Sequence, residues 1–154
     1  MMTDPETAGD AILSQYDELD ADQEHFVMFA LDRKHRLIGY RVMSSGTETQ
    51  TPVDPRTLFR TAMRMDATGV IVAHNHPSGS LEPSRDDVEL TRRLVRAGEL
   101  IGLAVFDHVV VAADKWLSLR RSRPALFQSG GAPVVSPGGE SGQESLFPGL
   151  PVGS

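Results

Sequence analysis

The sequence predicts a single α/β domain in which a mixed β-sheet is sandwiched by helices, and three observations carry that prediction. Two apolar runs, Glu24 to Leu31 and Val70 to Ala73, read as strands covered on both faces. Two segments, one opening at Asp54-Pro55 and one near Ser84, carry apolar residues at helical spacing behind helix-start signals. The resulting order is hairpin, helix, strand, helix, strands. At 154 residues and 40% apolar composition, the chain suffices for one domain with a real core but not for two of ordinary size. Three parts are expected: an acidic segment over 1–23, the folded domain over 24–122, and a Gly/Pro/Ser-rich flexible tail over 123–154.

The first segment holds eight acids and no Lys or Arg through Glu24. It predicts one short helix, Ala11 to Tyr16, with much of the remainder disordered. After the first strand, Asp32-Arg33-Lys34-His35 is a polar turn with His35 at the surface, and Arg36 to Met43 returns as a second strand. Ser44 to Gln50, rich in Gly and Thr, reads equally as an edge strand or a loop. Asp54 as a capping acid and Pro55 at the first helical position begin a helix. Leu58, Phe59, Ala62 and Met63 share one face and Arg56, Arg60 and Arg64 another, and the helix ends near Asp66. Gly69 breaks that pattern before the strand at Val70. The helix from Ser84 presents Val88, Leu90, Thr91, Leu94 and Val95, and runs to Gly98 or a little beyond. Leu103 to Val111 and the short Trp116 to Leu119 complete the strands.

Chemistry concentrates in residues 70–87, where the run Val70-Ile71-Val72-Ala73 delivers His74-Asn75-His76 into a Pro/Ser/Gly-rich loop. If the strand persists through Asn75, His74 and His76 project to one side and Asn75 points away. Asp87 falls in the first turn of the following helix, where the dipole favours a carboxylate. Two imidazoles and one carboxylate leave a fourth tetrahedral position for water, the ligand count of a catalytic zinc site. A second reading stands beside this one: Ser84-x-x-Asp87 is close to a capping box that only starts the helix. Asp107-His108 interrupts an apolar strand, and neighbours on a strand face opposite sides. One of the two orients a metal-bound imidazole, or both are hydrogen-bonded structural residues; the sequence leaves this open.

The arrangement His74-x-His76, seven residues, Ser84-x-x-Asp87 resembles the JAMM (MPN+) metallopeptidase motif. The wider run His-Asn-His-Pro-Ser-Gly, with Asp107-His108 downstream, resembles the RadC-like branch of that family, and Glu24-His25-Phe26-Val27-Met28-Phe29-Ala30-Leu31-Asp32 matches the strand that opens with a glutamate in JAMM proteins. The resemblance covers residues 24 to about 120. It implies a JAB/MPN-like, cytidine-deaminase-like architecture, Zn2+ held by His74, His76 and Asp87, Glu24 as general base and Ser84 assisting. It also implies hydrolysis of a peptide or isopeptide bond in a peptide or protein substrate. Longer RadC-like chains carry helices resembling DNA-binding helix-hairpin-helix modules ahead of this domain, and this chain is expected to be too short for them.

Within the tail, Gln143-Glu144-Ser145-Leu146-Phe147 resembles the short peptide by which bacterial replication and repair proteins dock on the sliding clamp. Gln143, Leu146 and Phe147 would be its anchors, presented by an unfolded chain. With the family's association with DNA repair, this supports an alternative: an accessory protein of DNA maintenance, recruited by its tail, whose metal domain is not peptidolytic.

Composition excludes several classes. No cysteine is present, which removes disulfides, Cys-ligated zinc and the zinc site of nucleobase deaminases. The net charge of −6 sits in the N-terminal segment; the other 130 residues hold 13 acids and 15 bases, little support for direct nucleic-acid binding. Arg56, Arg60 and Arg64, or Arg92, Arg93 and Arg96, read as basic patches or as solvated helix faces. No apolar stretch reaches the length of a membrane span and no signal peptide is recognisable, so a cytoplasmic protein is expected. His74-Asn75-His76 is not an HNH nuclease motif, whose three residues lie apart in sequence. A His-Glu-x-x-His helix and a Walker-type loop are both missing.

Overall fold

The computed structural model describes residues 1–46 and 53–128. A five-stranded sheet with strand order β2-β1-β3-β4-β5 forms its centre. β1 (Glu24–Leu31) pairs antiparallel with β2 (Leu37–Gly46) on one side and with β3 (Gly69–Asn75) on the other. β3 then pairs in parallel with β4 (Ala104–Ala112), and β5 (Lys115–Ser118) returns antiparallel to β4. β1 and β3, central in this order, are buried on both faces, which is why their sequences are continuous apolar runs. β2 continues through Ser44 to Gly46, so the start of the undecided stretch is strand. The remainder of that stretch, 47–50, lies outside the described residues.

Helices cover both faces. α2 (Pro55–Arg64) and α3 (Arg85–Ile101) pack on one, around Met28, Leu58, Val70, Val72 and Leu94. Asp54 caps α2 by accepting from the Arg56 N–H. α3 passes Gly98 and stops at Gly102, whose left-handed φ of 77° suits a residue without a Cβ.

On the opposite face lies α1 (Pro5–Tyr16), longer than the short helix expected over Ala11 to Tyr16. It starts six residues earlier because the Asp4 carboxylate accepts from the Thr7 N–H and Pro5 occupies the first turn. Met2, Ala8 and Ile12 are buried against Val27, Phe29, Ile71 and Val109, so the N-terminal segment belongs to a second core cluster rather than to a disordered leader. Gly9 lies against the Trp116 ring with no room for a Cβ. That apolar face is short and glycine-interrupted, and it acquires meaning only when β5 supplies Trp116.

After β5 the chain forms α4 (Leu119–Ser122) and a 3-10 turn at Pro124–Phe127. The expected strand residue Leu119 therefore begins a helix, with Ser118 as its cap. His35, expected at the surface, is half-buried: its ring meets Phe106 edge-on at 4.8 Å. No helix among the described residues is long and apolar enough to cross a membrane.

Candidate metal centre

The candidate site is built where β3 ends and α3 begins, outside the carboxyl end of a strand with a parallel neighbour. β3 keeps its pleat through Asn75, and the His76 N–H still bonds the Val111 carbonyl at 2.8 Å. His74 and His76 therefore lie on one side, as alternation requires. α3 then brings Asp87 from its first turn. The Asp87 Oδ1 is 3.2 Å from His74 Nε2, its Oδ2 is 3.2 Å from His76 Nε2, and the two Nε2 atoms are 2.9 Å apart. Bonds of ~2.0–2.1 Å to one tetrahedral ion place ligand atoms about 3.3 Å apart, close to this triangle.

The donor chemistry agrees. His76 Nδ1 is 2.8 Å from the Ser80 carbonyl, which can only accept, so a neutral His76 keeps its N–H there and turns a lone pair inward from Nε2. Against burial, which would raise it, the two imidazoles when protonated and the Ser84 N–H that donates to it hold Asp87 well below the usual carboxylate range. The neighbouring carboxylate raises His76 in turn, against the opposing effect of burial. A set of two imidazoles and an ionised carboxylate fits a divalent cation, and His74, His76 and Asp87 can hold a metal ion.

The two readings of Ser84-x-x-Asp87 prove compatible. The Ser84 hydroxyl accepts from the Asp87 N–H at 3.0 Å, and Asp87 Oδ2 accepts from the Ser84 N–H at 2.8 Å, a complete capping box. The same carboxylate faces the imidazoles. Capping thus fixes its direction. Ser84 itself lines the cleft, and its hydroxyl hydrogen has no acceptor among the described residues.

Glu24 lines the same cleft. Phe26 pairs with His74 across β1 and β3, so Glu24, two residues earlier, lies on the same face and lines the cleft of about 700 Å³ with His74, His76, Ser84 and Asp87. Asn75, which points away from the histidines as alternation requires, bonds the backbone on either side of Glu24. Its Oδ1 accepts from the His25 N–H at 2.7 Å, and its Nδ2 donates to the Gln23 carbonyl at 2.9 Å.

Asp107 and His108 separate as neighbours on a strand do. A bulge changes the register between Val70↔Val105 and Ile71↔Asp107 and turns His108 toward α3. There its Nε2 is 2.9 Å from His74 Nδ1, and its Nδ1 is 2.6 Å from the Thr91 hydroxyl. Burial, aided by the nearby His74, pushes the His108 ring down to about 3, so it is neutral. Asp107 faces the other way and accepts from the Ser118 hydroxyl and from the His108 and Arg120 N–H groups. Thr91 read only as part of an apolar helical stripe, and nothing in its spacing marks its hydroxyl.

A mixed five-stranded sheet between helices, ending in a His-x-His strand and an aspartate on the next helix, defines a small α/β domain of the JAB/MPN type with a candidate metal centre. The chain belongs to the RadC-like JAB domain family, whose sequence model matches residues 2–124. It is 45% identical over 117 residues to a UPF0758 protein of Trichormus variabilis, covering 76% of this chain and 48% of that protein. A UPF0758 protein of Desulforamulus reducens is 44% identical over 101 residues, 66% of this chain and 44% of its own. One from Finegoldia magna is 38% identical over 120 residues, 78% and 53% respectively. The chain spans about half the length of the curated relatives it matches.

Proposed function

We propose that the protein is a zinc-dependent hydrolase of the JAMM type that cleaves a peptide or isopeptide bond. The observation that carries this reading is the convergence of three acceptor atoms, His74 Nε2, His76 Nε2 and the Asp87 carboxylate, in a cleft also lined by Glu24. Zinc held there would lower the pKa of its water to about 7. Glu24 would take a proton from the attacking water and return it to the leaving amine. The Ser84 hydroxyl would donate to the oxygen on which negative charge develops, a type of contact whose loss costs ~3 kcal/mol. Asn75 would hold Glu24 still through its two backbone bonds.

Metal analysis of protein purified without added metal tests the centre: near-stoichiometric zinc in wild type that largely disappears in Asp87→Ala is expected. Glu24→Gln should keep the zinc and lose hydrolysis in a peptide screen. Undiminished turnover in that variant would remove Glu24 from the mechanism.

A second reading rests on Gln143, Leu146 and Phe147, which lie outside the described residues. In it, the tail recruits the domain to the bacterial sliding clamp for DNA maintenance, with or without peptidase activity. Binding of a tail peptide to the clamp supports it. Equal binding after Leu146→Ala and Phe147→Ala together would sink it.

A further inference from the structure

We propose that His108 and Thr91 are positioning residues that fix which nitrogen of His74 carries its proton, and so hold His74 ready to bind a divalent cation. The inference rests on the metal centre proposed above, and the direction of each hydrogen bond follows from the one before it.

Thr91 Oγ1 lies 2.7 Å from the Asp87 carbonyl one turn back on α3. A carbonyl only accepts, so the hydroxyl hydrogen is committed there. The Thr91 oxygen, 2.6 Å from His108 Nδ1, must then accept, and His108 carries its hydrogen on Nδ1. His108 is wholly buried, with the Phe26 ring edge-on at 5.7 Å and no carboxylate bonded to it, and a neutral imidazole has a single N–H. Its Nε2 is therefore an acceptor. His74 Nδ1, 2.9 Å away, must donate to it. In the neutral ring that leaves His74 Nε2 as a bare lone pair directed at Asp87 and His76.

The same tautomer is imposed on His76 from outside the relay by the Ser80 carbonyl. Both imidazoles thus present Nε2 with no tautomer change required on binding. The relay also forms a closed circuit: it begins at the backbone of Asp87, one ligand, and ends at His74, another, tying the first turn of α3 to the end of β3. Only the bulge in β4 brings His108 to this face.

The experiment uses the full chain with Zn2+ as probe, measured by competition with a chelator, and ¹⁵N–¹H correlation spectra of the histidine rings in metal-free protein. Variants are Thr91→Val, nearly the same shape without a hydroxyl, and Thr91→Ser, which restores it. Circular dichroism selects folded variants. In wild type, His74 should carry hydrogen on Nδ1. Thr91→Val should move His74 toward the Nε2–H form and weaken Zn2+ binding about 10-fold to 100-fold, the range for partners that orient a metal ligand. Thr91→Ser should restore both. A folded Thr91→Val protein with unchanged spectra and Zn2+ affinity within about twofold of wild type, against that expected loss, overturns the proposal. If wild type takes up no Zn2+, the metal reading fails but the spectra still decide the relay. Nδ1–H on His74 that depends on the Thr91 hydroxyl supports it, and Nε2–H in wild type overturns it.

Discussion

Polar side chains are buried on both faces of the sheet, but their hydrogen bonds end in different places. On the α3 face, Thr91, His108 and His74 form a chain that ends at the candidate ligand atoms. On the α1 face, Asp107 holds Ser118 and the backbone of His108 and Arg120, while the Tyr16 hydroxyl donates toward the carbonyls of His25 and Ala73. Asp107 and His108 are adjacent in sequence and similarly buried, at 5% and 0% exposure. Burial and full hydrogen bonding are therefore shared by a structural residue and one that addresses the site. What distinguishes them is the last atom in each chain of bonds.

The largest effect that sharpens this contrast is on stability. Asp107→Ala leaves a buried hydroxyl and two N–H groups without their acceptor and should cost about 3 kcal/mol in urea unfolding. Zinc content of the folded variant should not change. A fall in zinc with folding intact would place Asp107 with the site after all. Asp107→Asn retains an acceptor for the two N–H groups and should cost only about 1 kcal/mol.

Acid titration of metal-free protein should separate the two aspartates by sign. Asp87 is depressed in the folded state, so its contribution is present above the unfolded value of about 3.9 and is lost as pH falls below it. Burial raises Asp107 despite its hydrogen bonds, so its contribution is present below that value and is lost as pH rises through the raised one. Between pH 6 and 2, Asp87→Asn should flatten the loss of stability on acidification, and Asp107→Asn should steepen it. The same direction of change in both variants would erase the distinction.

The smallest expected stability change separates two uses of one residue. Glycine is tolerated at a helix N-cap, so Ser84→Gly should cost only about 0.3 kcal/mol. If the hydroxyl donates to substrate oxygen, turnover should nonetheless fall by about 10². Full activity would leave Ser84 as a cap alone.

Much of the centre was legible in the sequence because its parts are local. A two-residue repeat on an apolar strand fixes the side on which His74 and His76 lie, and a capping box fixes the direction of Asp87. Residue types at short spacing carry that information. The beginning of α1 was less legible, since Ala8, Gly9 and Ile12 form a weak stripe until Trp116 and β5 pack against it. His108 was visible as an anomaly in β4, yet alternation alone could not say which face it takes. The bulge decides that, and a bulge depends on how two strands pair across more than thirty residues of sequence. Thr91 was hidden altogether, because a threonine among leucines reads as packing.

Periodicity and capping act within a few residues, and so the strands, the starts of α2 and α3 and the three candidate ligands could be read from local sequence. Long-range contacts place Glu24 in their cleft, set Asn75 against its backbone and bring Thr91 and His108 into line with His74. Those relations depend on strand register and on the seat of α3 against β4, which no local spacing specifies.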